Sequence, residues 1–136
     1  MRDHVVVSQY FRLGEHYLWN PATAVAQLFY RTADAMAPFA GVPHGLRDTC
    51  QDEYDMDPAQ FTVFVDALAR RYLGSNHAEL RTLVEGLLVI AIALARRAGL
   101  SVPALAGPVG DGTARQDADL AGLLARAAEL ERHMVR

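Results

Sequence analysis

Along the chain, the spacing of apolar residues alternates between strand-like and helical, and each change marks an element. Residues 4–19 carry the β-branched Val5, Val6 and Val7 and the aromatics Tyr10, Phe11, Tyr17 and Trp19, interrupted by Gly14. This predicts a short β-hairpin turning near Leu13-Gly14-Glu15. Asn20-Pro21 then has the form of a helix start, with Asn as N-cap and Pro at the first helical position. Val25, Leu28, Phe29 and Met36 give a first helix over 20–38 its apolar stripe. Asp57-Pro58 repeats the start signal, and Phe61, Phe64, Val65, Leu68 and Tyr72 follow at helical spacing until Gly74, which predicts a second helix over 57–73.

Asn76 and Glu79 have the spacing of a capping box and open a third helix over 76–98, stopped by Gly99. A linker over 99–115 contains Pro103, Gly107, Pro108, Gly110 and Gly112. A fourth helix over 116–134 places Leu120, Leu123, Leu124, Ala127 and Met134 on one face. The pattern therefore predicts a mainly α, compact single domain of about four helices with a short N-terminal β-hairpin.

Between Leu83 and Ala95 the third helix is apolar all round except for Glu85. Such a helix is expected at the centre of the fold or of a dimer interface, and a carboxylate there costs several kcal/mol unless compensated. Arg81 lies one turn earlier and His77 two turns earlier, so the three form a ladder along one side of the helix. Two readings stay open. In one, a desolvated Glu85 acts as general acid or base, tuned by Arg81, with His77 as a second proton carrier. In the other, Arg81–Glu85 is a structural pair near a surface histidine, the commoner arrangement.

The segment from Phe39 to Met56 is too long for a plain connector, and such loops tend to be functional or disordered. It contains Pro43-His44-Gly45, Cys50 and the acids Asp52, Glu53, Asp55 and Asp57. A calcium loop is disfavoured, because Pro58 stands where an EF-hand needs glycine and Phe64 where it needs a bidentate acid. A zinc site lacks its ligand pattern, and Cys50 lacks a well-placed base, so neither metal nor cofactor is expected. Tyr10, His16 and Trp19, with Phe29 and Phe64, are the candidate ligand-binding residues; as a pocket they would reach Glu85 past Leu88. Aromatics of this kind serve equally well as core packing.

All thirteen basic residues are arginine, against sixteen acids. They are scattered, the doublets Arg70/Arg71 and Arg96/Arg97 falling near predicted helix ends, so no basic stripe exists to bind nucleic acid. The longest uncharged apolar run, 86–95, is half the length of a membrane span, which needs about 20 residues. Together with the single cysteine and no apolar leader after Met1, this leads us to expect a cytoplasmic protein that does not bind membranes.

The residues Tyr10-Phe11-Arg12-Leu13-Gly14, Leu18-Trp19-Asn20-Pro21 and the Asp55-Met56-Asp57 turn resemble a family of small actinobacterial proteins of unknown function, over most of residues 8–103. The resemblance implies a cytosolic protein of a GC-rich bacterium, encoded near specialised-metabolism or interaction genes; it implies no activity. The expected function is a non-catalytic binding or interaction protein that self-associates through its third and fourth helices and uses the 39–56 segment for recognition of a protein or apolar small molecule. The alternative is a cofactor-independent acid–base enzyme, a cyclase, isomerase or hydrolase acting on an apolar small molecule.

Overall fold

The computed structural model describes residues 7–107 and 114–136. Residues 4–6 of the expected hairpin and 108–113 of the expected linker lie outside the described residues. The elements run β1 (Tyr10–Leu13), β2 (His16–Trp19), α1 (Thr23–Ala40), β3 (Leu46–Asp48), β4 (Glu53–Met56), α2 (Pro58–Gly74), α3 (Ala78–Arg97), a 3-10 turn (Pro103–Leu105) and α4 (Ala114–Glu131).

The first correction concerns the sheet. It has four strands in the order β2-β1-β4-β3, because the 39–56 connector folds as an antiparallel hairpin whose β4 pairs in parallel with β1. In β4 the sequence Glu53-Tyr54-Asp55-Met56 alternates, with Tyr54 and Met56 buried and the two acids on the outer face. The acidic run is thus the solvent side of a strand. There Asp55 binds both Arg12, at 2.6 Å, and Arg47.

Helix boundaries shift for reasons visible in the backbone. Asn20 and Pro21 do not open α1; the Asn20 N–H donates to the Val135 carbonyl at 2.7 Å, and the Pro21 carbonyl accepts from the Gln9 N–H at 3.0 Å. That pairing keeps 20–22 extended, and α1 starts at Thr23 without a side-chain cap. It ends in a left-handed Gly41. The Asn76–Glu79 capping box likewise does not form, since His77 is the N-cap of α3 and makes no side-chain cap bond. Asp57 does cap α2 as expected, accepting the Gln60 N–H at 3.0 Å.

Ion pairs fix the direction of α4 against α3. Arg81 meets Asp119, Glu85 meets Arg126 and Arg97 meets Glu131, so partner numbers rise together and the two helices run parallel. Below them, one sheet face packs on the helices through stacked rings: Phe11 lies 5.2 Å from Trp19 and 4.6 Å from Tyr54, with the edge of Phe29 at 5.5 Å. Phe61, Phe64, Leu68, Leu88, Ile92 and Leu123 continue this core through the helical layer. No helix among the described residues is long and apolar enough to cross a membrane.

Candidate functional site

The third helix is not enclosed on all sides. Leu83 is 74% exposed and Gly86 and Thr82 are exposed with it, while Leu87, Leu88, Ala91 and Ile92 face the core. Glu85 sits at the boundary, its side chain 35% exposed, and accepts hydrogen bonds on both oxygens: Tyr72 Oη–H at 2.6 Å and Arg126 Nε–H at 2.9 Å. Burial, then the Glu85 bond and its charge, push the Tyr72 phenol above its ordinary range.

The ladder proposed from sequence therefore does not form. Arg81 turns away from Glu85 to Asp119 at 2.7 Å, donates through Nε to the Tyr72 carbonyl at 3.2 Å, and covers the Tyr72 ring at 4.7 Å. The Arg81 bond holds the Asp119 carboxyl below its ordinary value. His77 is exposed at the helix start. The physical reason is that α4, running parallel at close range, offers both Glu85 and Arg81 partners of opposite charge. An i, i+4 pair on one helix contributes only about 0.3–0.5 kcal/mol.

The candidate ligand-binding aromatics do not converge either. Phe29 and Phe64 are buried in different parts of one core, Phe29 against Phe11 and Trp19, Phe64 against Phe61 and His44. Tyr10 packs on Tyr17 at 4.6 Å on the outer sheet face, and His16 is exposed beside the hairpin turn. Trp19 alone of the five borders a depression that we describe, and it is itself buried.

Two depressions along α3 meet to make one furrow. The first, of about 390 Å³, is lined by Thr82, Glu85, Gly86, Val89, Ile90, Arg126 and Leu130. The second, of about 360 Å³, is lined by Trp19, Pro21, Val25, Ile90, Leu130 and Val135 among others. Ile90 and Leu130 belong to both, so the furrow runs from Glu85 past the C-terminal end of α4 to the start of α1. Val25 and Val135 line it and are exposed; Leu83, next to Thr82 on α3, and Leu28, one turn beyond Val25 on α1, are exposed apolar residues adjacent in sequence to its lining. Gly86 keeps its floor open, as a Cβ there would meet nothing within 4 Å.

A separate cleft of about 530 Å³ lies between α1, the β3–β4 hairpin and the start of α2. Its wall is the Pro43-His44-Gly45 turn. Gly45 has φ +78°, and a Cβ there would stand 2.8 Å from the Phe61 nitrogen and 3.0 Å from the Asp57 carbonyl oxygen, so only glycine fits against α2. His44 is buried and bonded to Asp34 at 2.6 Å. Neither Asp34 nor Tyr72 was singled out from sequence as chemically active. Tyr72 stood in an apolar stripe, and Asp34 is distant in sequence from the loop it anchors. Among the described residues, no group of three or more His, Cys, Asp or Glu is placed to hold a metal.

A model of a family of unknown function, DUF6086, matches residues 7–136. The chain belongs to DUF6086. No curated protein and no solved structure matches it. For this DUF6086 member the site must therefore be read from its own geometry: an apolar furrow with a charged end, and a polar cleft with a rigid wall.

Proposed function

We propose that this DUF6086 chain is a non-catalytic interaction protein that self-associates through the α3–α4 furrow and presents the cleft beside His44 for recognition. The carrying observation is the continuity of the furrow, through Ile90 and Leu130, with the exposed Val25, Leu28, Leu83 and Val135. Val25, Leu28, Leu83 and Val135 are 45–74% exposed, so burying what remains of them supplies roughly 4–8 kcal/mol per copy, or about 8–15 across a two-fold pair, at about 1.5–3 per full side chain. Association costs about 4–15 kcal/mol, so the two nearly balance and weak self-association is the expected outcome. Two-fold pairing suits the face, since a protruding Leu83 and an open floor at Gly86 stand one turn apart on the same helix.

The test is mass in solution by sedimentation equilibrium. Wild type is expected above the 14.9 kDa of one chain, Leu83→Arg to return to it, and Val63→Arg, on exposed α2 surface, to leave the assembly intact. A wild-type chain that stays monomeric at high micromolar concentration refutes the reading.

A second reading, the acid–base enzyme acting on an apolar small molecule, has one observation in its favour: Glu85 lies in the furrow wall. It takes second place because Tyr72 and Arg126 engage both carboxylate oxygens. A cytoplasmic setting is part of the proposal and rests on the single, exposed Cys50. Origin in a GC-rich actinobacterial genome, with a role in specialised metabolism, also belongs to the proposal and rests on the absence of lysine and on the resemblance of residues 8–103.

A further inference from the structure

The cleft wall contains a histidine whose neutral tautomer is set by its neighbours. A backbone N–H only donates, so the Leu46 N–H held 2.9 Å from His44 Nδ1 requires that nitrogen to be unprotonated. The ring proton then sits on Nε2 and donates to Asp34 Oδ1 at 2.6 Å. Tyr30 and Phe64 hold the ring at centroid distances of 5.5 and 6.0 Å, and it is 8% exposed, so it has little room to turn.

A second proton would bring two donors face to face, Nδ1–H against Leu46 N–H, and one must leave. Gly45 is held by its own carbonyl, which accepts the Asp57 N–H at 2.7 Å, and Leu46 is the first residue of β3, opposite Met56. The group with freedom to leave is therefore the Leu46 N–H at the start of the strand.

We propose that protonation of His44 is a built-in switch, which breaks the Leu46 bond and loosens the start of β3 at the cleft wall while the helical layer stays folded. The charged and titratable groups around the ring are Asp34, from α1, on Nε2; Asp57, at the start of α2; and Arg47 and Asp55, from β3 and β4, which line the same cleft and are bound to each other. Tyr30, from α1, is a neutral phenol kept so by burial and by Asp34. Histidine in general titrates between pH 5 and 8, within reach of physiological change. The consequence for binding rests on the recognition reading given above; the switch itself does not.

The test is a pH titration of the full chain from 8 to 5, following the His44 ring nitrogens and the Leu46 amide by ¹⁵N NMR and hydrogen exchange. As Nδ1 gains its proton, intrinsic-rate-corrected exchange at Leu46 should rise on the order of tenfold, the effect of one hydrogen bond lost, with core amides of α2 and α3 unchanged. Asp34→Asn should move this transition to more acidic pH, which a purely packing role for His44 does not predict. The proposal is overturned if Nδ1 stays unprotonated until the whole domain unfolds. It is also overturned if the doubly protonated ring forms while the Leu46 amide keeps its protection. Neither outcome bears on self-association, which the mass measurement decides separately.

Discussion

Replacing Arg97 by methionine keeps an unbranched apolar stem and removes its guanidinium. That group is 7% exposed and ties three parts of the chain together: it donates to the Leu18 carbonyl at 2.8 Å, to the Glu131 carbonyl at 2.8 Å and to the Met134 carbonyl at 2.7 Å. Hydrogen bonds to a charged group contribute about 1.5–3 kcal/mol each, so three give an upper limit of roughly 5–9. Two effects lower the figure. Burying the guanidinium already cost desolvation, and the tail beyond Glu131 can peel off to hydrate its carbonyls. A loss of about 3 kcal/mol remains, near the bottom of the range for breaking a buried charged contact. At roughly 2.1 cal/mol/K per residue, 136 residues give an unfolding entropy of about 0.29 kcal/mol/K, so Tm should fall by about 10 °C. The neighbouring Arg96 is half exposed and only 3.7 Å from Glu131, and Arg96→Met should change Tm by under about 2 °C. Thermal unfolding of both variants decides the matter. If Arg97→Met melts within about 2 °C of wild type, or Arg96→Met falls as far, the clamp is not what holds the tail.

Gly45→Ala should cost at least about 1 kcal/mol more than Gly14→Ala by urea unfolding, because both have positive φ but only Gly45 meets backbone within 3.0 Å; equal losses would remove the argument for a rigid cleft wall. Asp119→Asn tests the Arg81 pair through pH. The folded-state value of Asp119 is depressed, so its contribution is present above the ordinary carboxyl range near pH 3.9 and is lost as pH falls through the depressed value. The stability gap between wild type and Asp119→Asn should accordingly be full at pH 7 and shrink below about pH 4; a gap independent of pH would assign the effect to packing.

Sequence periodicity located the four helices because each buries a wide stripe, and the Asp57 cap and the Gly99 stop carried their own local chemistry. It failed at the 39–56 segment for a physical reason. Strands of three and four residues give too short a window for alternation to stand out, and Glu53 and Asp55 register as an acidic run unless Tyr54 and Met56 are read between them. The Arg81–Glu85 pairing failed differently. Arg81 and Glu85 have the right spacing for each other, but partner choice depends on what α4 brings alongside, and nothing local announces that Asp119 and Arg126 arrive there. Leu83 and Gly86 show the same limit: an apolar letter does not say whether its neighbour is the core or open solvent.

The furrow and the Arg97 clamp are parts of one construction. Because α4 runs parallel to α3, the chain does not end beside the start of α3 but at its far end, where Glu131 and Met134 meet Arg97 and Val135 meets Asn20. Leu130, Met134 and Val135 thereby form one wall of the furrow, with Val25 and Trp19 forming the other. An antiparallel α4 would have placed its last residues near Ala78 and left Ile90 bordered by nothing from the tail. The apolar face is therefore not a leftover of incomplete burial. Arg97, together with the Asn20–Val135 bond, keeps residues 131–135 in place, and that ties the shape of the furrow to a buried guanidinium on α3.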